Sequence, residues 1–437
     1  MVCTETSASG QRPIKLLVVG PSLRQWLGGQ EVQADLLVRS WCDDPEVRVA
    51  FVPHNPAPPR ALRWTERLPA LRTVVRVPTR LLALWRAVRQ SHIVHIFSAS
   101  HSSFLVATLP AWCVARLLGR RTLIHYHSGR GHEHLQRSRL ARLVLRRSDA
   151  VVVPSGYLGE IFAAYAIPTE VVANAIDVAE LRHRPRRVIR PRLVCTRNFE
   201  STYAVDLVVR AFAEIKKDMP SARLLLAGRG SQEAAIRALV RDLDLGDVEF
   251  CGAVSRRGIG EVLDGADVFV NASRVDNMPV SILEAFAAGL PVVSAASGGI
   301  SYLVEHERTG LLSEVGDVSA LARNVRRVIA DQALAHRLAW NAHDESSRYE
   351  WPAIRAAWLR LYRALDALVD RHDAAGADAI ANELRSDGVT STRSSGSATL
   401  SQSAAATTGF AFHHWRTSLS CPKPPVWLPE ESHDDDH

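Results

Sequence analysis

Two carboxylates sit eight residues apart in the stretch RVDNMPVSILEAFAAGLPVV, which runs from Arg274 to Val293. The first, Asp276, lies in a polar turn with Asn277 and Met278, ahead of Pro279. The second, Glu284, lies inside an apolar helical run that Gly289 and Pro291 stop. Proline suits a first helical turn, because its missing N–H is not needed there. The spacing therefore predicts a helix that begins near Pro279 or Val280, with Asp276 in the loop before it. The N-terminus of such a helix points unpaired N–H groups and a partial positive charge outward, which makes an anion site. A diphosphate is one such anion. Carboxylates on either side of it can grip hydroxyl groups. A nucleotide sugar has that layout: ribose hydroxyls, a diphosphate, then sugar hydroxyls.

The surrounding elements must place this turn at the mouth of a cleft. IKLLVVG, VRVAFV, HIVHIF, RTLIHYH, DAVVVPS and TEVVANAI are short runs rich in β-branched residues, as in strands buried on both faces. Helical patterns such as EVQADLLVRSW and RLARLVLRRS separate them. The alternation predicts a parallel, doubly wound sheet. The segment AIDVAELRHRPRRVIRPR breaks the rhythm with prolines and arginines and reads as a linker. The pattern then restarts with RLVCTR, ARLLLAG, VEFCGAV, ADVFVNA, PVVSAA and GLLSEV. The fold class is thus α/β, with two tandem Rossmann-like domains whose parallel sheets face a central cleft. The expected bounds are an extension over 1–13, a first domain over 14–184 and a second over 185–350. A helical segment over 351–373 packs back toward the first domain, and a disordered tail covers 374–437, where Ser, Thr, Ala and Gly dominate. Ligands of such folds bind at the carboxyl ends of the strands.

Composition removes several alternatives. The chain has 437 residues, too many for one core. Its six cysteines form no CxxC pair, which argues against a disulfide framework or a zinc site. The first residues lack the apolar centre of a signal peptide. The longest uncharged apolar stretch, 102–115, is too short to span a bilayer and reads as a buried helix. Residues 1–184 hold 24 Lys+Arg against 13 Asp+Glu, nearly all of the cations being arginine. One half of the protein therefore presents a positive field to something anionic. In 71–90 the residues Arg72, Arg76, Arg80, Arg86 and Arg89 interleave with leucines, valines and Trp85, and a helix is expected to start at Pro78. That segment fits either an anionic membrane surface or an ordinary surface helix. Nucleic acid is disfavoured, because the arginines do not interleave with stacking aromatics.

DNMPVSILEAFAAGLPVV resembles the Glu-x7-Glu signature of the family-4 retaining glycosyltransferases, which have the GT-B fold. GGISYLVEHERTGLLSEVGD, RLLLAGRG, VEFCGAV, DAVVVPSGYLGEIFAAYAI and GGQEVQADLL resemble further elements of that family in the same order, over roughly residues 14 to 365. The resemblance implies that Glu284 binds donor ribose hydroxyls and that Asp276 contacts the donor sugar. It places backbone N–H groups of Asn277, Met278, Pro279 and Val280 (proline itself lacking one) along the sugar and diphosphate. Arg197 matches the arginine that neutralises the diphosphate, and His127 a histidine near the donor sugar. Gly28 and Gly29 match the glycine loop that lets backbone approach the reacting centre. His127, Arg197 and Asp276 would form the catalytic set. In retaining members the departing diphosphate is thought to take the acceptor proton, so catalysis is mostly electrostatic. That agrees with the lack of a recognisable Ser/His/Asp triad or nucleophile. No metal and no cofactor are expected, since Arg197 and the helix N-terminus do a cation's work.

Two positions depart from the family. A lysine followed by glycine is expected five or six residues after the arginine, and here Thr202, Tyr203 and Ala204 stand there. Arg130 and Arg229 are the candidates to replace that charge. Asp276 also stands where the family has glutamate. His125, His127, His132 and His134 cluster in sequence, but no carboxylate pattern matches a zinc signature. The reading is a cytoplasmic, metal-independent, retaining hexosyltransferase, with the inner membrane face left open as its location. Its partners would be a nucleotide-sugar donor and a glycan, lipid-linked or other small acceptor. The rivals are a non-catalytic nucleotide- or sugar-binding protein of the same fold and a phosphorolytic or sugar-phosphate-synthesising relative.

Overall fold

Strand runs and helical runs alternate along the chain, and they build two six-stranded parallel sheets. The computed structural model describes residues 12–21, 28–54 and 69–386. Expectations for 1–11 and 387–437 lie outside the described residues. The first sheet holds β1 (Ile14–Gly20), β2 (Val47–Pro53), β3 (Ile93–Ser98), β4 (Arg121–Tyr126), β5 (Ala150–Val153) and β6 (Glu170–Val171). Its order is β2-β1-β3-β4-β5-β6. The second holds β7 (Arg192–Cys195), β8 (Arg223–Ala227), β9 (Val248–Gly252), β10 (Val268–Asn271), β11 (Val292–Ala295) and β12 (Gly310–Ser313), in the order β12-β11-β10-β7-β8-β9. The central strands β3 and β10 are buried at every position, as strands covered by helices on both faces must be.

The strand order locates the cleft. In each sheet the direction of winding reverses once, between β1 and β3 in the first and between β7 and β10 in the second. Loops leaving such strands diverge and open a crevice at their carboxyl ends. The Gly28–Gly29 loop follows β1, Arg197 follows β7, and Asp276 follows β10. The four glycine, arginine and aspartate positions read from sequence therefore all fall at reversal points.

The chain crosses between the sheets twice. The first crossing follows β6 and ends on Arg186, whose buried guanidinium donates to the carbonyls of Leu263, Ala266 and Ala288. This fixes the arginine-rich linker to the second domain. The second crossing is at Tyr349–Glu350, where Ile176 N–H donates to the Tyr349 carbonyl at 2.8 Å. The helix Trp351–Ser386 then returns to the first sheet. Its Trp358 and Tyr362 join Leu16, Trp41, Ile93 and Phe97 in one core. Trp41 meets Trp351 edge-on at 5.1 Å. Each such ring takes roughly 150–250 Å² out of water, about 4–6 kcal/mol before ordering costs. The half-exposed Arg355 pairs with Asp44 and Glu46 add only about 1 kcal/mol each at most. Aromatic packing, more than charge, holds this helix in place.

Four sequence expectations change. The helix carrying the N-terminal arginines spans Pro69–Arg89, so it runs through Pro78 instead of starting there. The helix from Trp351 continues to Ser386, past the expected end at 373, so 374–386 is helical. TEVVANAI contributes only the two-residue β6 to the sheet. The apolar stretch 102–115 is helical but only half buried. A π-turn at Phe104–Thr108 puts Phe104, Ala107 and Thr108 inward and leaves Leu105 and Val106 exposed. A helix lying against a sheet buries one stripe only, so an all-apolar sequence must expose part of itself.

Candidate functional site

The helix predicted from the carboxylate spacing is Val280–Ala287, with Pro279 as its N-cap. Every residue of it is buried except Glu284, which is the position that opens to the cleft. The apolar side chains Ile282, Leu283 and Phe286 pack it onto the second sheet. Gly289 ends it with φ +70°, a left-handed turn that glycine adopts without strain. The turn before the helix is set from below by Gly298 and Gly299. A Cβ at Gly299 would lie 1.8 Å from the Asn277 carbonyl oxygen, and the Gly299 N–H donates to the Asp276 carbonyl. The glycine pair of GGISYL is therefore what lets the Asp276–Asn277 backbone lie so close.

Arg197 and Asp276 meet at the reversal point of the second sheet. Arg197 Nη2 donates to Asp276 Oδ2 at 2.5 Å, and Nη1 donates to Ser281 Oγ at 3.0 Å. The two side chains are 9% and 11% exposed. The Tyr203 ring lies over the guanidinium, 4.0 Å from its carbon. Burial works against the charge on Arg197, but Asp276, Tyr203, Cys195 and Glu284 outweigh it and hold its pKa above the ordinary value. Thr202 and Tyr203 stand at the expected lysine positions. The Thr202 carbonyl accepts the Arg274 N–H at 2.8 Å, which ties the loop after β7 to the loop after β10. Ala204 keeps a left-handed conformation, φ +46°, where the family has glycine.

The first domain closes on this turn. Ser155 hydrogen-bonds to the Asn277 side chain, and Asn174 Nδ2 donates to the Met278 carbonyl at 2.8 Å. Asn277 Nδ2 and His127 Nε2 are buried without a hydrogen-bond partner, so both retain donor or acceptor capacity beside the cleft. Two connected cavities result. One, about 470 Å³, is lined by Glu284, Arg229, Gly228, Val254 and Ile259. The other, about 590 Å³, is lined by Gly28, His127, Arg130, Asp276, Asn277 and Pro279. They share Gly29, Arg197, Glu200, Tyr203 and Val280, so the arginine and the helix N-terminus stand between them. Every site residue read from the sequence lines one cavity or the other. Gly29 faces open space, whereas the space beside Gly28 is filled by the Glu31 carboxylate. Burial raises the Glu31 pKa, partly offset by backbone N–H groups of Glu31 and Gly28.

His127 stacks on Phe97 and lies 4.0 Å from His125, ring centre to ring centre. Behind it, His95 Nε2 is 3.2 Å from His125 Nδ1, and His95 Nδ1 is 2.7 Å from the Tyr362 hydroxyl. The histidines thus form a buried polar file between the cleft and the C-terminal helix. Burial, with the charge of neighbouring rings, lowers the pKa of His95 to about 3 and that of His125 well below the usual range. Among the described residues, no group of three His, Cys, Asp or Glu side chains is arranged to hold a metal.

Residues 27–180 match the family model "Glycosyltransferase Family 4", and residues 190–331 match "Glycosyl transferases group 1". The chain belongs to the family-4 glycosyltransferases. This family-4 chain is 29% identical over 254 residues to a GDP-mannose-dependent alpha-(1-6)-phosphatidylinositol monomannoside mannosyltransferase of Mycobacterium tuberculosis, across 52% of this chain and 66% of that one. It is 31% identical over 249 residues to an exopolysaccharide phosphotransferase of Streptomyces coelicolor, across 55% of this chain and 26% of the other. The match thus spans two thirds or less of these relatives' lengths. The fold is also that of sucrose-phosphate synthase from Thermosynechococcus elongatus, with TM-score 0.63 and 21% identity over 81% of this chain and all of that one. An Anabaena protein solved with UDP and glucose gives TM-score 0.64 at 17% identity, over 80% and 99% of the two chains. The architecture is GT-B, as the sequence implied.

Several site residues of this family-4 glycosyltransferase escaped the sequence. Ser281 had a signal, since it stands one residue inside the helix N-terminus. Glu31, Glu200, Ser155 and Asn174 had none, because their place depends on how the two sheets approach each other. The histidine file carries a prediction. His95 and His125 titrate near pH 6.5 when unfolded but stay neutral when folded, so the unfolded state binds more protons below that pH. Stability should fall as pH drops below about 6.5, by about 1.4 kcal/mol per pH unit for each such histidine. Urea unfolding between pH 7.5 and 5 should show a shallower slope in His125→Asn than in the parent chain. Equal slopes would contradict the neutral file.

Proposed function

We propose that the protein is a retaining, metal-independent glycosyltransferase that moves a hexose from a nucleotide diphosphate sugar to an acceptor hydroxyl. The observation that carries this reading is the Arg197–Asp276 pair at the helix N-terminus, with Glu284 one cavity away on the same helix. Glu284 takes the ribose hydroxyls, and the nucleoside extends toward Val254 and Ile259. The diphosphate lies against Arg197 and the N–H groups of the first helical turn. The sugar lies toward Asp276, Asn277 and His127. Positive groups stabilise the charge that develops on the departing diphosphate, and that diphosphate takes the acceptor proton on the same face. The name of the Mycobacterium relative, a GDP-mannose-dependent mannosyltransferase, supports a hexose donor.

The test is release of nucleoside diphosphate from a panel of nucleotide sugars. The parent chain should release it with one donor, equally with and without EDTA, and the product should keep the donor's anomeric configuration. Glu284→Ala should lower kcat/KM by about 100-fold, the loss of a charged hydrogen-bonding group worth roughly 2–3 kcal/mol. Nucleotide binding with no release from any donor would favour the non-catalytic rival. Loss of activity in EDTA would overturn metal independence.

A second reading concerns location. No helix among the described residues is long and apolar enough to cross a membrane. However, Val77, Leu81, Leu82 and Trp85 of the helix Pro69–Arg89 are exposed beside Leu105 and Val106. Arg80 joins the two segments through the Val106 and Ala107 carbonyls. With Arg86 and Arg89 nearby, this face supports docking on an anionic bilayer that carries a lipid-linked acceptor. Co-sedimentation should show binding to phosphatidylglycerol vesicles over phosphatidylcholine. Leu82→Glu with Val106→Glu should weaken it at least about tenfold, since each buried apolar side chain contributes roughly 1.5–3 kcal/mol. Equal binding to both lipids would contradict this reading.

A further inference from the structure

Arg197, the deepest cation of the cleft, is already matched. Its guanidinium shares its charge with Asp276 at 2.5 Å, so the pair together is close to neutral. A departing nucleoside diphosphate carries at least two negative charges. Partial charges at the helix N-terminus offset only about half of one. Further positive charge must come from other side chains that line the cleft.

Two arginines meet that requirement by position. Arg229 lines the cavity of Glu284 and Val254, with its guanidinium near Gly252 at the nucleoside end. Arg130 lines the other cavity with Pro279, Val280 and Arg197, where the diphosphate would pass toward the sugar. Arg130 belongs to the loop after β4, so it comes from the first domain. Its backbone N–H donates to Ser128 Oγ at 3.3 Å. Its Nη2 donates to Thr202 Oγ1 of the second domain, also at 3.3 Å. Among the described residues this exposed guanidinium meets a neutral hydroxyl and not a carboxylate. It can exchange that hydroxyl for a phosphate oxygen without breaking an ion pair.

We propose that Arg130 is a catalytic residue that donates hydrogen bonds to the leaving diphosphate from across the domain interface. The proposal rests on the nucleotide-sugar reading above. In the transfer, the bond from the sugar's anomeric carbon to the diphosphate oxygen breaks and keeps its electron pair on that oxygen. The acceptor oxygen bonds to the same carbon, and its proton passes to the diphosphate. Arg130 stays protonated throughout and lowers the energy of the charge that builds on the leaving oxygens. Arg130 and Arg197 sit on different domains, so the charge around the diphosphate is assembled across the interface. Tyr203 is then free to clamp Arg197 instead of supplying a charge.

The experiment uses the full chain and four forms: parent, Arg130→Ala, Arg130→Lys, and Arg130→Ala with Thr202→Lys. Thr202 touches Arg130, so a lysine there places a cation at nearly the same point from the other domain. Arg130→Ala should lower kcat for nucleoside diphosphate release about 10- to 100-fold, at the low end for removal of one donor to developing charge because the group is exposed. Arg130→Lys should keep part of the rate, and Thr202→Lys should restore at least about tenfold to the alanine form. In calorimetry, Arg130→Ala should weaken UDP, GDP or ADP, whichever the parent binds, and leave the matching nucleoside unaffected. An unchanged kcat, a rise in acceptor KM alone, or no rescue by a folded Thr202→Lys form would each overturn the assignment. If the parent releases no diphosphate from any donor, the transferase reading fails by itself. The comparison of diphosphate with nucleoside then still decides whether Arg130 meets the phosphates.

Discussion

The cleft is organised around one buried ion pair. Arg197 and Asp276 come from loops that leave β7 and β10, the two strands between which the second sheet reverses. Without a partner, either charge would be left in a site that water barely reaches, at a cost of about 3–5 kcal/mol. The pair therefore constrains both loops at once. Ser281 and Tyr203 fix the rest of the guanidinium, one through a hydroxyl and one through the face of its ring. The glycines at 298 and 299 allow the carboxylate's own backbone to lie where the pair needs it. The positions of Glu284 and of the helix N-terminus follow, since both belong to the helix that Asp276 introduces.

The first domain acts on this arrangement from outside. Ser155 and Asn174 hold the Asn277–Met278 turn, and Arg130 reaches the Thr202 hydroxyl. Apolar contacts cross beside them: Val32 and Ala173 pack against the core under the site helix, and the Tyr157 ring lies 6.3 Å from that of Tyr302. The aromatic core under Trp358 and Tyr362 ties the returning helix to the first sheet. The two domains therefore meet through a mixed polar and apolar surface around the Asp276–Asn277 turn, and the charge that lines the cleft comes from both sides of it.

Much of this was legible in the sequence because it rests on local pattern. Alternating strand and helix runs gave two parallel sheets, and the spacing from Asp276 through Pro279 to Glu284 gave the site helix within a residue. What was not legible depends on tertiary placement. The pattern marks Tyr203 as a missing lysine, but only the folded loop shows its ring on Arg197. Pro78 looked like a helix start by its chemistry, yet the helix continues through it. Leu105 and Val106 looked like core because they are apolar, but a helix against a sheet has an outer face. The helix past residue 373 was hidden by a composition close to that of the tail.

As one buried pair, Arg197 and Asp276 should act as a unit toward a nucleoside diphosphate. The direct measurement is a double-mutant cycle on diphosphate affinity by calorimetry, with Arg197→Gln, Asp276→Asn and both together. Strong non-additivity is expected, with an interaction of at least about 1 kcal/mol, because Asp276 acts on the diphosphate chiefly through the arginine it holds. Additive effects within about 0.3 kcal/mol would mean that the two residues meet the ligand independently, and would contradict it.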